Sequence, residues 1–399
     1  MDFRFTPEEE AFRQEVQHFI KQELQLPSGY WGDLETEFDP QNFELTKQVA
    51  KKLGEKKWLA MNWPREYGGL EASAIEHMIF KEEAAYHQLP GIDMGVGGIT
   101  WVGPTLLLLG TQEQKNEHLP PLAAGEKWWC TMYSEPGAGS DMANVMCHAV
   151  LQRDEYIING QKVWTSAAHI ADWGWLLVRT DPDALKKHHG ISLLLVDMKT
   201  PGITIRPLLN MAGHRLFNEV FFDNVHVPKR NLIGEENRGW YHTMIAMAFE
   251  RTLGVMFAAG ARRLIEELVR FAKETKVNGQ PLGKDPSIRQ KLAELAIEVE
   301  IARVMSYRIV WQQTKGGIPG YEAPMIKVFA SETLHQMANV GTQIMGLYGQ
   351  LWLGSKWAPL QGTIADMYMN SIGMLTAAGT SEILRNIIAE RGLGLPRSA

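Results

Sequence analysis

The segment Tyr133-Ser134-Glu135-Pro136-Gly137-Ala138-Gly139-Ser140-Asp141 holds the densest chemistry in the chain. Two glycines around Ala138 and two serines make a loop whose backbone N–H groups can approach a phosphate or a flavin closely. A turn that merely needs glycines is the alternative. The run is not G-x-G-x-x-G and opens no helix after a strand, so the dinucleotide fingerprint of a doubly wound sheet does not apply. Trp164-Thr165-Ser166 sets an indole beside two hydroxyls, which suits a flat heterocycle by stacking and hydrogen bonding; an indole packed in a core is the other reading. Glu250-Arg251 stands between the apolar runs 244–249 and 252–257. A carboxylate there is either a paired structural ion or an acid/base group whose pKa desolvation raises. Ala377-Ala378-Gly379-Thr380-Ser381-Glu382 reads as Gly-Thr ahead of a helix start, for which a helix cap is the plain explanation.

Other chemistries find little support. The 12 histidines form no HExxH or comparable metal spacing, so no metal site is expected. There is no GxSxG elbow and no P-loop. The two cysteines, Cys130 and Cys147, make neither a disulfide framework nor a CxxC pair, and read as plain reduced thiols.

These residues need elements to hold them. Thr6-Pro7-Glu8-Glu9 predicts a helix start with Phe12, Val16, Phe19 and Ile20 at helical spacing. A second helix is expected from near Asp39-Pro40, with Leu45, Val49 and Leu53 on one face, and a third over about 74–87. The period changes after about residue 125. Asn159-Gly160 between two β-rich runs predicts a hairpin turn. Strands are expected at 175–178, 191–196, 203–205, 220–222 and 225–227, without the helices that parallel βαβ units require. From Trp240 the helical period returns, with helices expected over 250–272, from Asp285 to about Trp311, and near 323–346, 357–375 and 380–391. The reading is a multi-domain α+β chain: an N-terminal helical domain (1–125), a central β domain, an open sheet or a barrel (126–237), and a C-terminal helical bundle (238–399).

A chain of 399 residues accommodates two or three domains, and 45% hydrophobic with 22% charged residues excludes wholesale disorder. Forty basic against 46 acidic residues, a net charge of −6, argue against a nucleic-acid partner. The apolar stretch from Ile99 to Leu109 is interrupted by Gly103 and Pro104 and falls short of the ~20 residues that cross a bilayer. The N-terminus lacks signal-peptide and transit-peptide character, so a soluble cytoplasmic protein is expected.

Four segments in this order resemble the acyl-CoA dehydrogenase family over essentially the whole chain: Thr105–Lys115, Ser134–Asp141, Asn159–Trp164 and Ala378–Glu382. The resemblance implies an N-terminal helical domain, a β-barrel and a C-terminal four-helix bundle, with FAD between barrel and bundle. It places Tyr133, Ser134 and Ser140 along the flavin and thioester pocket, and Trp164 against the isoalloxazine with Thr165 and Ser166 beside it. Gln343, Gly379, Thr380 and Glu382 would meet the rest of the FAD. Ser140, Arg251 and Ala378 would meet the acyl-CoA substrate. The family's commonest catalytic base precedes the Gly-Thr of the last motif, where this chain has Ala378. A minority branch, similar to isovaleryl-CoA dehydrogenase, carries the base in the Glu-Arg pair of the first bundle helix, here Glu250. The resemblance thus implies α-proton abstraction by Glu250 with hydride transfer to the flavin, giving a trans-2-enoyl-CoA and passing electrons to an electron-transfer flavoprotein.

The usual assembly is a tetramer, a dimer of dimers. Where many members have Arg-Lys-x-Phe-Gly, this chain has Thr275-Lys276-Val277-Asn278-Gly279 and lacks the arginine. In this it resembles branches that include heteromeric dehydrogenases for bulky acyl groups, so a heterotetramer with a related subunit stands beside the homotetramer. A non-catalytic acyl-CoA or flavin-binding subunit is a third reading. Gly91, Gly95, Gly97 and Gly98 suggest room for a branched, cyclic or long acyl group, with straight short chains the alternative.

Overall fold

The computed structural model describes residues 4–24, 26–27, 36–248, 253–316 and 320–397. The helices are α1 (Pro7–Gln22), α2 (Phe43–Glu55), α3 (Ala74–Tyr86), α4 (Gly103–Leu109), α5 (Gln112–Ala123), α6 (Gly239–Ala248), α7 (Leu253–Glu274), α8 (Pro286–Thr314), α9 (Glu322–Met345), α10 (Thr363–Thr376) and α11 (Ser381–Ile387). Between α5 and α6 run β1 (Trp129–Met132), β2 (His148–Gln152), β3 (Glu155–Ser166), β4 (Trp173–Arg179), β5 (Ile191–Asp197), β6 (Ile203–Leu208) and β7 (Phe217–Pro228). A small ribbon, β8 (Lys276–Val277) and β9 (Gln280–Pro281), follows α7. Two compact units result. One, helical, gathers Met1–Trp31, Ala74–Gln88 and Arg251–Ala399; the other, built on the sheet, gathers Gly32–Ser73 and Leu89–Glu250.

In the helical unit α1 starts as its sequence dictates. The Thr6 hydroxyl accepts from the Glu9 N–H and the Glu9 carboxylate accepts from the Thr6 N–H, a reciprocal capping box. Helices α7 to α10 share an apolar core of Leu264, Leu268, Leu295, Met337 and Ile364. Arg13 of α1 reaches Glu82 (2.7 Å) and Glu83 of α3, and the Tyr307 hydroxyl of α8 donates to Glu82 at 2.8 Å. These charge-assisted bonds fix the α1–α3–α8 contact in a site with little water. α10 begins at Thr363, later than the apolar pattern suggests, because Leu360 and Gln361 sit at positive φ (46° and 58°) and interrupt helical geometry.

In the sheet unit the strands pair in the order β1-β4-β2-β3-β7-β6, with β5 on β4. They form a curled half-barrel over a core that includes Tyr156, Ile158, Leu176, Val178, Leu194, Val220 and Val225. β1 lies parallel to β4 with no crossover helix, since the chain between them forms β2 and β3.

Asn159-Gly160 does not turn the chain. The reversal between β2 and β3 falls at Arg153-Asp154, flanked by the Gln152–Glu155 pair, and β3 runs on through Gly160 at a bulge against β7. The glycine serves packing: its φ is +143°, and a Cβ there would lie 2.7 Å from Cys147 Cα. The expected strands 220–222 and 225–227 are one strand, β7. The Asn-Gly turn occurs instead at Asn278-Gly279, where φ values of 51° and 77° suit the left-handed turn joining β8 to β9.

Candidate cofactor and substrate site

On the sheet unit, Tyr133 and Ser134 follow β1 directly and lie beside the end of β3: the Val163 N–H donates to the Ser134 carbonyl at 2.9 Å. The next residues close on themselves, Glu135 and Ala138 exchanging backbone hydrogen bonds at 3.0 Å each. The loop is pinned from beneath by a buried charge pair. Glu135 accepts from the Met146 N–H (2.6 Å), the Cys147 N–H (3.0 Å) and the Lys162 ammonium (2.7 Å), and Lys162 also donates to the Tyr133 carbonyl at 3.0 Å. Burial pushes the Lys162 ammonium below its ordinary pKa, opposed by Cys147 and Glu135. The same burial lifts the Cys147 thiol to about 12, which removes its nucleophilic form.

Gly137 and Gly139 stand on this pinned loop with no φ in the left-handed region, and a Cβ at either would touch nothing within 4 Å. Their own backbone does not require glycine. The space a side chain would fill is open, as close approach of a bound group needs. Ser140 is exposed at the end of the loop.

Trp164 is no core residue. Its indole is 59% exposed, and φ is +59°, a strained conformation for a bulky residue. It sits in a bulge of β3 between Lys162 and Thr165, edge-on to Phe217 at 5.7 Å. Ser166 is half-buried, whereas Thr165 is 1% exposed, its hydroxyl enclosed and unpartnered among the described residues. Trp164 and Ser166 are therefore accessible, and the Thr165 side chain faces inward.

On the helical unit, Ala378, Gly379 and Thr380 form a tight turn before α11. Ala378 is exposed with φ +53°, Gly379 has φ +90°, and the Thr380 hydroxyl caps α11 by accepting from the Ile383 N–H at 3.2 Å. Glu382 is held below the usual carboxylate range by its own backbone N–H and the Thr380 hydroxyl. The turn is tied to α9 by buried Lys327, which donates to the carbonyls of Met374 (3.0 Å) and Gly379 (2.8 Å). Gln343 does not join this turn. It is exposed 16 residues along α9 from Lys327, about 24 Å at 1.5 Å per residue, where it accepts from Lys291 at 2.7 Å. Glu250 and Arg251 lie outside the described residues.

Residue-by-residue reading missed Lys162 and Lys327. Both are lysines in apolar surroundings whose carbonyl and carboxylate partners lie tens of residues away. Gly91, Gly95, Gly97 and Gly98 carry a different message from the one their size suggested. A Cβ at Gly95 would collide with the Trp129 carbonyl, one at Gly98 would lie 2.8 Å from the Asp93 carbonyl, and one at Gly97 would lie 2.5 Å from the Trp101 ring, so packing within the fold takes up the space at these three. Among the described residues no group of three His, Cys, Asp or Glu side chains gathers to hold a metal, and no helix is long and apolar enough to cross a membrane.

Family profiles agree with this layout of helices, sheet and helices. The chain belongs to the acyl-CoA dehydrogenase family, whose N-terminal, middle and C-terminal domain profiles match residues 6–126, 130–225 and 237–393. It is thus an oxidoreductase of lipid metabolism with FAD as its cofactor. It is 32% identical to acyl-CoA dehydrogenase FadE26 of Mycobacterium tuberculosis over the full length of both chains. Among solved structures it is similar to the Tcur3481-Tcur3483 steroid ACAD (TM-score 0.87, 31% identity). It is also similar to the ChsE4-ChsE5 complex from Mycobacterium tuberculosis (TM-score 0.85, 31% identity), each comparison covering all of both chains.

Proposed function

We propose that the chain dehydrogenates a bulky acyl-CoA thioester at Cα–Cβ, with Glu250 as the base, as one subunit of a heteromer. The observation that carries the flavin site is the exposed, left-handed Trp164 beside a pinned loop whose glycines front open space. Bound FAD would supply the acceptor for the hydride leaving Cβ. Trp164 would pack on the flavin ring with Ser166 beside it and the Thr165 backbone alongside. The Ser134–Ser140 loop with Tyr133 would line the ring and thioester, and Gly379, Thr380, Glu382 and Gln343 would meet the remainder of the cofactor. A left-handed Ala378 cannot act as a base but keeps a backbone N–H. Such a donor, aimed at the thioester carbonyl, would stabilise negative charge developing there as Glu250 removes the α-proton. A glutamate serves as a base near neutral pH when an apolar surround raises its pKa, and Glu250 stands between apolar runs in the sequence. Arg251 is proposed beside the substrate, and an electron-transfer flavoprotein as the electron acceptor.

The heteromer and the bulky acyl group rest on likeness to a steroid ACAD and to a two-protein complex, together with Thr275 where many relatives have arginine. The chain is to be purified alone and with a co-expressed related subunit, then mixed anaerobically with steroid-side-chain, branched and straight-chain acyl-CoAs. Flavin bleaching by bulky thioesters, abolished in Glu250→Gln while FAD stays bound, is expected. Undiminished bleaching in Glu250→Gln removes the base assignment. An active, fully flavinated homotetramer removes the heteromer. A flavin-free chain that still binds acyl-CoA in both preparations supports a non-catalytic subunit instead.

A further inference from the structure

At the end of β3 the ladder to β7 has one residue too many. Lys162 faces Val220 and Thr165 faces Asn218, so three steps on β3 oppose two on β7. The surplus is absorbed by the left-handed Trp164, and Ala167 beyond it is left-handed too, with φ +59°. A bulge of this kind breaks the regular backbone pairing and needs another donor to hold its far side.

That donor is a side chain. Asn218 is fully buried, and its Nδ2 donates to the Thr165 carbonyl at 3.1 Å and to the Leu216 carbonyl at 3.3 Å. Nδ2 also lies 3.2 Å from His169 Nδ1. The other ring nitrogen, His169 Nε2, lies 3.3 Å from the Phe38 carbonyl. The amide oxygen, Oδ1, is enclosed with no partner among the described residues. A buried acceptor without a donor weakens a fold, so sheet stability alone is a poor account of this asparagine.

We infer that Asn218 is a positioning residue for the flavin face: its amide holds the Thr165 backbone so that the strained bulge keeps Trp164 and Ser166 outward. The inference rests on the proposed flavin site at Trp164, and its first readout does not. In the FAD-free chain, Asn218→Leu, nearly isosteric but without the donor, speeds amide hydrogen exchange about tenfold over 163–168 and leaves β4 and β5 unchanged. FAD then binds about tenfold more weakly. At saturating FAD, substrate bleaches the flavin more slowly with an unchanged half-saturating substrate concentration, a kcat effect that loss of stability alone does not produce.

Exchange over 163–168 equal to wild type overturns the inference, whatever the flavin does. Should Asn218→Leu fail to fold, Asn218→Ser, whose hydroxyl is too short to reach Thr165, makes the same comparison with the same two outcomes. A wild-type chain that binds no FAD, alone or with its related subunit, counts against the function proposed above, while the exchange measurement still decides Asn218.

Discussion

Lys162→Met keeps an unbranched side chain one heavy atom shorter and deletes its charge. The ammonium is fully buried, 2.7 Å from a Glu135 oxygen and 3.0 Å from the Tyr133 carbonyl. Removing one member of a buried ion pair costs about 3–5 kcal/mol, because the survivor stays charged in a poor solvent. Two backbone N–H groups, of Met146 and Cys147, still serve Glu135, which sets the loss near the lower end, about 3 kcal/mol. The orphaned Tyr133 carbonyl adds about 1 kcal/mol. In Lys162→Met with Glu135→Gln no buried charge remains and the amide oxygen can accept from the same N–H groups, so the double variant should lose only about 1–2 kcal/mol. Urea unfolding followed by tryptophan fluorescence gives the four corners of the cycle, and an FAD titration shows whether the loop still binds. A coupling of at least about 2–3 kcal/mol is expected, since the single variant loses about 4 and the double only about 1–2, with FAD affinity falling in the single variant and recovering in the double. If Lys162→Met unfolds within about 1 kcal/mol of wild type, or the double variant is no better than the single, buried charge does not hold this loop.

Gly139→Ala should leave the urea midpoint of the FAD-free chain unchanged, since its methyl meets nothing, and should weaken FAD binding; unchanged affinity would show that the open space is not the cofactor's. Gly160→Ala should do the reverse, destabilising the chain by about 2 kcal/mol or more through its clash with Cys147 Cα, a loss read in the same titration. His77 Nε2 is enclosed without a partner among the described residues, and burial, with the Lys81 charge, pushes its pKa from 6.5 to about 3. The unfolded chain then binds more protons than the folded one between those values, so stability present above pH 6.5 is lost as pH falls towards 3. At about 1.4 kcal/mol per unit, the stability difference between wild type and His77→Gln should shift by about 2 kcal/mol towards the variant from pH 7 to pH 5, and a pH-independent difference would refute the assignment.

Local chemistry wrote much of this structure into the sequence. The Thr6–Glu9 box, the proline after Asp285 and the Gly-Thr ahead of Ser381 each start a helix where their residues demand, because a cap satisfies N–H groups within a few residues of itself. The loop Ser134–Asp141, the aromatic at 164 and the carboxylate at 250 were likewise legible as candidates. Their partners were not. Asn-Gly turns the chain at 278–279 and not at 159–160, since at the second place Cys147 on the neighbouring segment requires a glycine inside a strand. Strand pairing likewise decided that Trp164 faces out and Thr165 in, through a bulge set by the register of β7. The pairs Glu135–Lys162, Lys327–Gly379 and Asn218–Thr165 join residues 27 to 53 positions apart. A hydrogen bond acts over about 3 Å, so which distant groups meet is decided only when the chain has folded.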